Sequence, residues 1–147
     1  MDIDKLSFDI SRQLQSGRKT SKAIAKELNV SLNTVSRRIE RLTKNGILEI
    51  KGLVNTDALP NHMMGLIGIN LRTRDLTLRA KEISELNGVI SVGVVTGRFD
   101  IIALIMLNNE NDLLHFHTKE IPKIQDITFS ETFTMYKNID WKVPYVL

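Results

Sequence analysis

The sequence of 147 residues contains no cysteine. This excludes disulfide frameworks, thiolate zinc sites and cysteine nucleophiles, and it fits a reducing compartment. The longest uninterrupted apolar run, Ile101 to Leu107, is far shorter than the roughly 20 residues that a membrane-spanning helix needs. Residues 1–5 have no basic flank followed by an apolar core, so no secretory signal is expected. These absences predict a soluble, cytoplasmic protein with no membrane partner.

Positive charge is concentrated in the first half of the chain. Residues 1–60 hold eleven Lys and Arg against seven Asp and Glu, whereas residues 61–147 hold nine against ten. Between Arg18 and Lys51, nine cations accompany three acids. This asymmetry indicates a polyanionic partner for the first half only, although a solvated lysine-rich face would give the same count.

Three short helices are predicted within residues 3–46, where apolar side chains recur at helical spacing. The first ends at Gly17, because glycine favours the left-handed turn that terminates helices. The second fits Ser21–Leu28, and the third begins at Ser31 as its N-cap and runs to about Asn45. The inward stripe of the third helix is predicted to be Leu32, Val35, Ile39 and Leu42.

Residues 21–40 have the spacing of a helix-turn-helix. Ala25 is small where the two helices cross, and Asn29 takes the turn position, whose left-handed backbone asparagine tolerates. The wedge between the helices is Ile24, Leu28, Val30, Val35 and Ile39. The opposite face of the second helix is then free to enter the major groove of DNA. We therefore assign residues 1–50 to a DNA-binding domain.

The outward face of the third helix is polar near its start and basic further on, which suits contacts to base edges and phosphates. Arg37 and Asn33 are the best candidates for base contacts. The other candidate DNA-binding residues are Ser31, Thr34, Ser36, Arg38, Arg41, Lys44, Lys22 and Lys26. A plain three-helix bundle would also have charged outer faces. The small Ala25, the turn at Asn29 and the local cation density together favour double-stranded DNA, as found in promoter regions.

The second half changes from helical spacing to strands. Residues 47–54 are predicted to form a strand or short ribbon, and residues 51–62 a hinge strand and linker. Six further elements follow in the order strand, helix, strand, strand, helix, strand: Met64–Arg72, Thr77–Asn87, Val89–Thr96, Asp100–Leu107, Asn111–Lys119 and Asp126–Tyr136. This order is the ferredoxin-like βαββαβ arrangement. The predicted fold class is α+β, with a winged helix-turn-helix domain joined through the hinge to a ferredoxin-like domain over residues 63–147.

One strand of the predicted sheet is apolar on both faces. In the stretch from Asp100 to Leu107, Ile101 and Ile105 lie on one side, and Ile102 and Met106 on the other. The two helices of a ferredoxin-like unit cover one face, so the second face requires a cover from elsewhere. We predict a homodimer formed sheet on sheet. The alternative is that the N-terminal helical module folds back over that face.

Three motifs carry a family resemblance that covers essentially the whole chain. They are Gly17-Arg18 after the first helix, the run Arg38-Ile39-Glu40-Arg41-Leu42-Thr43-Lys44-Asn45-Gly46-Ile47-Leu48, and the loop Gly97-Arg98-Phe99-Asp100. With them the sequence resembles the leucine-responsive regulator/AsnC (feast/famine) family of transcription factors. The resemblance implies a C-terminal regulatory domain that dimerises, often assembles into octamers, and binds small effectors, commonly amino acids, in clefts between dimers.

The resemblance places the effector near the loop between the middle strands and near the last strand. The residues that it implies as effector contacts are Gly97, Arg98, Phe99, Asp100, Ser130 and Thr132. Gly97 would allow close backbone approach, and Asp100 would pair with an ammonium group. The alternative is that Gly97 makes the hairpin and Asp100 caps it. Phe99 lacks the hydroxyl of the tyrosine that many relatives have there.

No catalytic, metal or cofactor site is predicted. The sequence has no glycine-rich phosphate loop, nucleophile elbow or paired carboxylates, and His115 and His117 are two apart, a spacing unsuited to a metal on a helix. Two alternatives stay open. One is an enzyme like the sirohaem decarboxylases, which share the two-part architecture, although residues 50–53 lack their basic-aromatic signature. The other is a ligand-binding module with a vestigial helix-turn-helix, against which the arginines of the third helix argue.

Overall fold

The computed structural model describes residues 3–147. The chain divides into two compact units, Met1–Gly52 and Leu53–Leu147. Each unit has a hydrophobic core of its own. Among residues 3–147, none of the helices combines the length and the apolar character that a membrane-spanning helix requires.

The described part of the N-terminal unit folds into three α-helices, α1 (Lys5–Leu14), α2 (Ser21–Glu27) and α3 (Leu32–Lys44), in agreement with the prediction. Each helix starts after a residue whose side-chain oxygen accepts a hydrogen bond from a backbone N–H three positions on. These N-caps are Asp4, Thr20 and Ser31. They satisfy N–H groups that the first helical turn leaves without a partner. Gly17 and Gly46, both at φ +67°, follow α1 and α3 and end them in the left-handed region.

A small apolar core holds the three helices together. Ile10 of α1, Ile24 and Ala25 of α2 and Val35 of α3 are buried in it. Leu6, Leu14, Leu28, Val30 and Ile39 pack around them. The prediction that Leu32 faces inward is wrong, since its side chain is 50% exposed. Leu32 is the first residue of α3, and the buried part of the helix starts one turn later.

Residues 47–53 do not form the predicted strand. Among the described residues, pairing in this region is limited to a bridge between Val54 and Val143, whose backbone groups exchange hydrogen bonds of 2.8 and 3.1 Å. The prediction of a strand over residues 47–54 is therefore wrong except at its last residue. A strand requires a neighbour to accept its hydrogen bonds, and an apolar pattern alone does not reveal whether a neighbour exists.

The C-terminal unit has the predicted ferredoxin-like order. Its elements are β1 (Met63–Leu71), α4 (Leu76–Ser84), β2 (Val89–Val94), β3 (Ile101–Leu107), α5 (Leu113–His115) and β4 (Ile127–Thr134). The four strands form one antiparallel sheet in the order β2-β3-β1-β4. The strands β2 and β4 are therefore the edges of the sheet.

The helical segment after β3 is mixed rather than a regular α-helix. One α-helical turn, α5, begins after the N-cap Asp112 and continues as a π-helix over Phe116–Glu120 and a 3-10 turn over Ile121–Lys123. Pro122 lies in the final turn, where proline is compatible with a helix start but not with a longer α-helix. The predicted helix over residues 111–119 therefore exists, with its irregularity unforeseen.

The two faces of the sheet are covered differently. Ile101, Ala103 and Ile105 of β3 lie on the helix side, in a core that includes Ile83 and Phe116. On the opposite side, Met64, Leu104, Met106 and Val143 form a second buried cluster, against which Val54, Val146 and Leu147 pack. From the sequence, a partner subunit or the N-terminal module was expected to cover this face. Part of it comes instead from the C-terminal segment, which lacks the periodicity of a predicted element.

Candidate functional site

The turn between α2 and α3 has the geometry expected of a helix-turn-helix. Asn29 lies in the left-handed region at φ +53°, and the Val30 backbone N–H donates to the carbonyl oxygen of Ala25 at 3.0 Å. The small Ala25 is buried where α2 meets the other helices. This turn holds α3 with one face against the core and the other face in solvent.

The outward face of α3 carries the predicted candidate residues. Asn33, Ser36, Arg37 and Arg41 are exposed. Ser31 and Thr34 have a structural task in addition, because the Ser31 hydroxyl oxygen accepts from the Thr34 backbone N–H at 3.0 Å and lies 2.8 Å from the Thr34 hydroxyl. These two residues shape the start of α3, and the other four side chains are free to meet a ligand.

Among the described residues, most of the cations between Arg18 and Lys51 have no acidic partner. Lys19 pairs with Glu27, Arg38 with Asp4, and Lys51 with Glu49. Within residues 3–147, no carboxylate lies within ion-pair distance of the other six: Arg18, Lys22, Lys26, Arg37, Arg41 and Lys44. All six are exposed. Uncompensated, solvated cations are the electrostatic requirement for binding a polyanion.

Arg38 differs from its neighbours on α3. Its side chain is 25% exposed and its Nη1 pairs with an Asp4 carboxylate oxygen and donates to the Ser7 hydroxyl oxygen at 3.1 Å. The hydrogen bond from Arg38, together with those from Ser7, lowers the pKa of Asp4 to about 2. The structure thus directs Arg38 towards α1 rather than towards solvent.

The loop between β2 and β3 closes over residues 95–100. Gly97 lies at φ +124°, which side-chain-bearing residues rarely adopt, and the Val95 backbone N–H donates to the carbonyl oxygen of Asp100 at 2.9 Å. Phe99 folds from this loop onto β1, where a Cβ on Gly68 would lie 2.5 Å from its ring. The absence of a side chain at Gly68 therefore creates the seat for Phe99.

An aromatic and ionic cluster surrounds Phe99. Its ring lies 6.5 Å from that of Phe129 and 6.2 Å from that of Phe133, both on β4. Arg98 lies over the Phe99 ring and pairs with Glu131 at 2.9 Å. The role of these residues was not predicted from the sequence: Gly68, Phe129, Phe133 and Glu131. An isolated glycine inside a strand is a signal of close approach, and it pointed to Gly68.

Asp100 is tied to the end of β1. One of its carboxylate oxygens accepts a hydrogen bond from the Leu71 backbone N–H at 2.8 Å, and its own backbone N–H donates to the carbonyl oxygen of Ile69. These bonds extend the pairing of the sheet into the loop. Asp100 therefore has a structural role, but its side chain holds the end of β1 rather than capping the β2–β3 hairpin. Its second carboxylate oxygen has no protein donor among the described residues.

Ser130 and Thr132 lie on the other side of the sheet from this cluster. Successive residues of a strand point to opposite faces, so Ser130 and Thr132 alternate with Glu131. Thr132 accordingly faces the helices, where its hydroxyl lies 2.8 Å from Nε2 of His117. The structure brings Gly97, Arg98, Phe99 and Asp100 together and separates them from Ser130 and Thr132. Across residues 3–147, no group of three or more His, Asp or Glu is placed to hold a metal ion.

Two sequence families match the chain. Residues 3–49 match the family described as winged helix-turn-helix DNA-binding. Residues 65–140 match the family described as the Lrp/AsnC ligand binding domain. The matches fall on α1–α3 and on the ferredoxin-like sheet unit.

Individual proteins agree with these matches over nearly the whole chain. The sequence is 28% identical over 141 residues to the uncharacterized HTH-type transcriptional regulator PF1231 of Pyrococcus furiosus, covering 95% of both. The structure is similar to that of AsnC from E. coli, with a TM-score of 0.70 and 26% identity, covering 94% of this chain and 95% of the other. It also shares the fold of transcriptional regulator NMB0573 of Neisseria meningitidis in its L-Met complex, with a TM-score of 0.72, 19% identity, and coverage of 99% and 96%.

Proposed function

Because the chain belongs to the Lrp/AsnC family of transcriptional regulators, we propose that it controls transcription by placing α3 in the major groove of promoter DNA, and that a small effector modulates this binding. The observation that supports the assignment of DNA-binding residues is a set of six exposed cations, on α2, on α3 and between α1 and α2, that have no acidic partner within residues 3–147. Asn33 and Arg37 read base edges, with Ser36 beside them. Lys22, Lys26, Arg41 and Lys44 contact phosphates.

A gel-shift series with the protein's own promoter region at several salt concentrations tests this proposal. The logarithm of the binding constant should fall against the logarithm of salt concentration with a slope of about −0.9 per phosphate contact. Lys26→Ala should weaken binding to specific and random duplexes alike and reduce the slope by about 1. A shift that is absent, or indifferent to salt, would contradict the proposed interface.

We propose that the functional particle is at least a homodimer that contacts through the uncovered part of the sheet face. Phe129 and Phe133 are 47% and 45% exposed there, and burying such side chains contributes roughly 25 cal/mol per Å². A two-fold dimer should read half-sites whose centres lie about 10–10.5 base pairs apart or a multiple of that. A promoter footprint measures this spacing, and analytical ultracentrifugation separates dimer from octamer. A monomer at micromolar concentration would contradict the dimer.

We propose that the effector is an amino acid that binds at the loop carrying Gly97 and Arg98. The relative from Neisseria meningitidis is a complex with L-Met, and the exposed Arg98 offers a guanidinium group to a ligand carboxylate in competition with Glu131. Asp100 offers its second carboxylate oxygen to the ligand ammonium. Ser130 and Thr132 would contribute only through the edge strand β4, from the other side of the sheet.

Thermal-shift measurements with the twenty amino acids test the effector. A ligand at 100 times its Kd should stabilise the folded state by about 2.7 kcal/mol. Arg98→Ala should abolish the shift, and the matched control Arg74→Ala, an exposed arginine between β1 and α4, should retain it. A shift that survives in both Arg98→Ala and Asp100→Ala would exclude this cleft.

We also propose that residues 51–62 act as the linker between a DNA-binding domain at residues 1–50 and a regulatory domain at residues 63–147. The absence of ladder pairing over residues 47–53 supports this division. Limited proteolysis should cut first within residues 51–53, the part of this linker that lies before the bridge at Val54. A first cut inside α3 or β1 would contradict it.

A further inference from the structure

Two adjacent arginines of α3 occupy different environments. Arg37 is exposed, whereas Arg38 is turned towards α1 and contacts two of its residues. Nη1 of Arg38 pairs with a carboxylate oxygen of Asp4 and donates to the hydroxyl of Ser7, which is fully buried. Asp4 is also the N-cap of α1, since its other carboxylate oxygen accepts from the Ser7 backbone N–H at 3.0 Å. Asp4 thereby binds the start of α1 and the middle of α3 at once.

We propose that Arg38 is a positioning residue for sequence recognition and that the contact of Arg38 with Asp4 and Ser7, here called the Asp4–Arg38 clamp, sets the rotation of α3 about its own axis. This inference rests on the proposed DNA-binding function of α3. It assigns to Arg38 a role different from the phosphate contact that its charge suggests.

The clamp fixes the rotation of α3 about its axis, which apolar packing alone does not fix. Packing among Ile10, Ile24 and Val35 is driven by burial of apolar area, and burial is non-directional. Side-chain tips lie about 5–6 Å from a helix axis, so rotating α3 by about 20° would displace the Arg37 tip by about 2 Å. That displacement is enough to break a hydrogen bond to a base edge. Because Nη1 of Arg38 is held by both a carboxylate and a hydroxyl oxygen, it resists the rotation.

The charge on Arg38 is already compensated. Its cation is matched by the Asp4 carboxylate, which stays ionised at neutral pH because its pKa is about 2. A phosphate contact by Arg38 would require this pair to break first. Arg41, one turn further along α3, has no acidic partner among the described residues and requires no such step.

Asp4→Asn separates the two roles by the sign of its effect. Asparagine is as good an N-cap as aspartate, so the start of α1 is retained while the charge that holds Arg38 is lost. On net charge alone, removing an acid strengthens binding to DNA. If Arg38 positions α3, specific binding should weaken despite the gain in charge. The ratio of specific to non-specific affinity therefore decides between the roles.

Fluorescence anisotropy with a promoter duplex and a scrambled duplex, across a salt series, measures this ratio for the full chain. For Asp4→Asn and for Arg38→Gln we expect at least an about fivefold loss of specific affinity, the lower range for one lost base contact. The salt slope on random DNA should remain that of the wild type. Arg41→Ala, the matched control for a phosphate contact, should lower affinity for both duplexes and reduce the slope by about 1.

The double variant Asp4→Asn/Arg38→Gln should lose no more specific affinity than the larger single loss, because both changes open one clamp. Ser7→Ala removes one hydrogen bond to Arg38 and keeps its ion pair with Asp4, so it should lose less specific affinity than Asp4→Asn. A slope reduced by about 1 in Arg38→Gln, or unchanged specificity in a folded Asp4→Asn, would overturn the clamp while leaving the DNA-binding function standing. Wild-type protein without salt-dependent DNA binding would instead overturn the proposed function itself.

Discussion

The outward face of α3 carries candidate DNA-binding residues, and the loop over residues 95–100 carries candidate effector-binding residues. The two sets differ in how many of their side chains already form contacts within the protein. On α3, Asn33, Arg37 and Arg41 are exposed, and the two arginines have no acidic partner within residues 3–147. In the loop, Asp100 holds the end of β1, and Arg98 pairs with Glu131. One site offers unengaged side chains, and the other offers side chains that must exchange a partner.

A ligand that binds Arg98 in the loop would therefore have to displace its ion pair with Glu131. DNA can meet α3 without breaking an ion pair, so electrostatic attraction acts there in full. A carboxylate ligand at the proposed site on Arg98 would compete with Glu131, and its binding would rearrange the contact between the loop and β4. Such an exchange would couple ligand binding to β4, an edge strand that also carries the exposed Phe129 and Phe133.

The largest expected effect is on DNA recognition by Arg37. Arg37→Ala should cost about 1–3 kcal/mol of specific binding, a roughly 5- to 150-fold loss of affinity, because it would remove the proposed bidentate base contact. Its melting temperature should not change, since the fold does not use the side chain. Lys19→Ala is the matched control, because Lys19 is a cation already paired with Glu27. Equal losses for both variants would remove the distinction between engaged and unengaged cations.

The seat of Phe99 should be the next most sensitive. Gly68→Ala should destabilise the sheet unit by about 1–3 kcal/mol, because its Cβ would overlap the Phe99 ring. Gly93→Ala is the matched control, since the nearest atom to its Cβ would be 4.0 Å away, on Val95. Urea unfolding measures both. A Gly68→Ala variant as stable as Gly93→Ala would show that Phe99 moves freely, and the loop would then be less engaged than described.

A smaller effect is expected for the contact between Thr132 and His117. Thr132→Val should cost about 0.5–1.5 kcal/mol of stability through loss of one hydrogen bond. Thr134→Val, on an exposed residue of the same strand, should cost less. If Thr132→Val instead left stability intact and abolished the effector-induced thermal shift, Thr132 would belong with the ligand rather than with the fold.

The smallest effect is expected in acid, at the one engaged arginine of α3. The pKa of Asp4, about 2, lies below the roughly 3.9 of an unfolded chain, so ionised Asp4 stabilises the N-terminal unit above about pH 4. This contribution should disappear as the pH falls towards 2. The melting temperatures of wild type and Asp4→Asn, measured from NMR amide signals of α1 and α3, should therefore converge in acid. A difference that persists unchanged at pH 2 would mean that the carboxylate is not what holds Arg38.

Elements that depend on neighbouring residues could be predicted from the sequence. The N-cap Ser31, the left-handed Asn29 and the order of strands and helices along the sheet unit all agree with the structure. Their causes lie within a few positions along the chain, where side-chain hydrogen bonding and hydrophobic periodicity act.

Contacts between distant residues could not be predicted in this way. Arg38 and Ser7 are 31 positions apart, Asp100 and Leu71 are 29, and His117 and Thr132 are 15. In each pair, a residue that was predicted to contact a ligand forms a hydrogen bond within the protein instead. These residues are Arg38, Asp100 and Thr132. The prediction of a strand over residues 47–54 was wrong for a related reason. A strand needs a neighbouring strand from another part of the fold, and of residues 47–54 only Val54 has such a pairing within the described part of the chain.

The C-terminal segment on the sheet also restricts where a symmetry axis can pass. Val143 and Val146 cover the part of this sheet face that contains Met64 and Met106. A two-fold contact on the uncovered part of the same face would therefore be centred towards β4. Residues nearest a two-fold axis meet their own counterparts. Since the sequence has no cysteine of its own, Phe133→Cys would give each subunit a single thiol. Spontaneous disulfide cross-linking would then locate the axis, because the bond forms only when the two Cα atoms lie within about 7 Å.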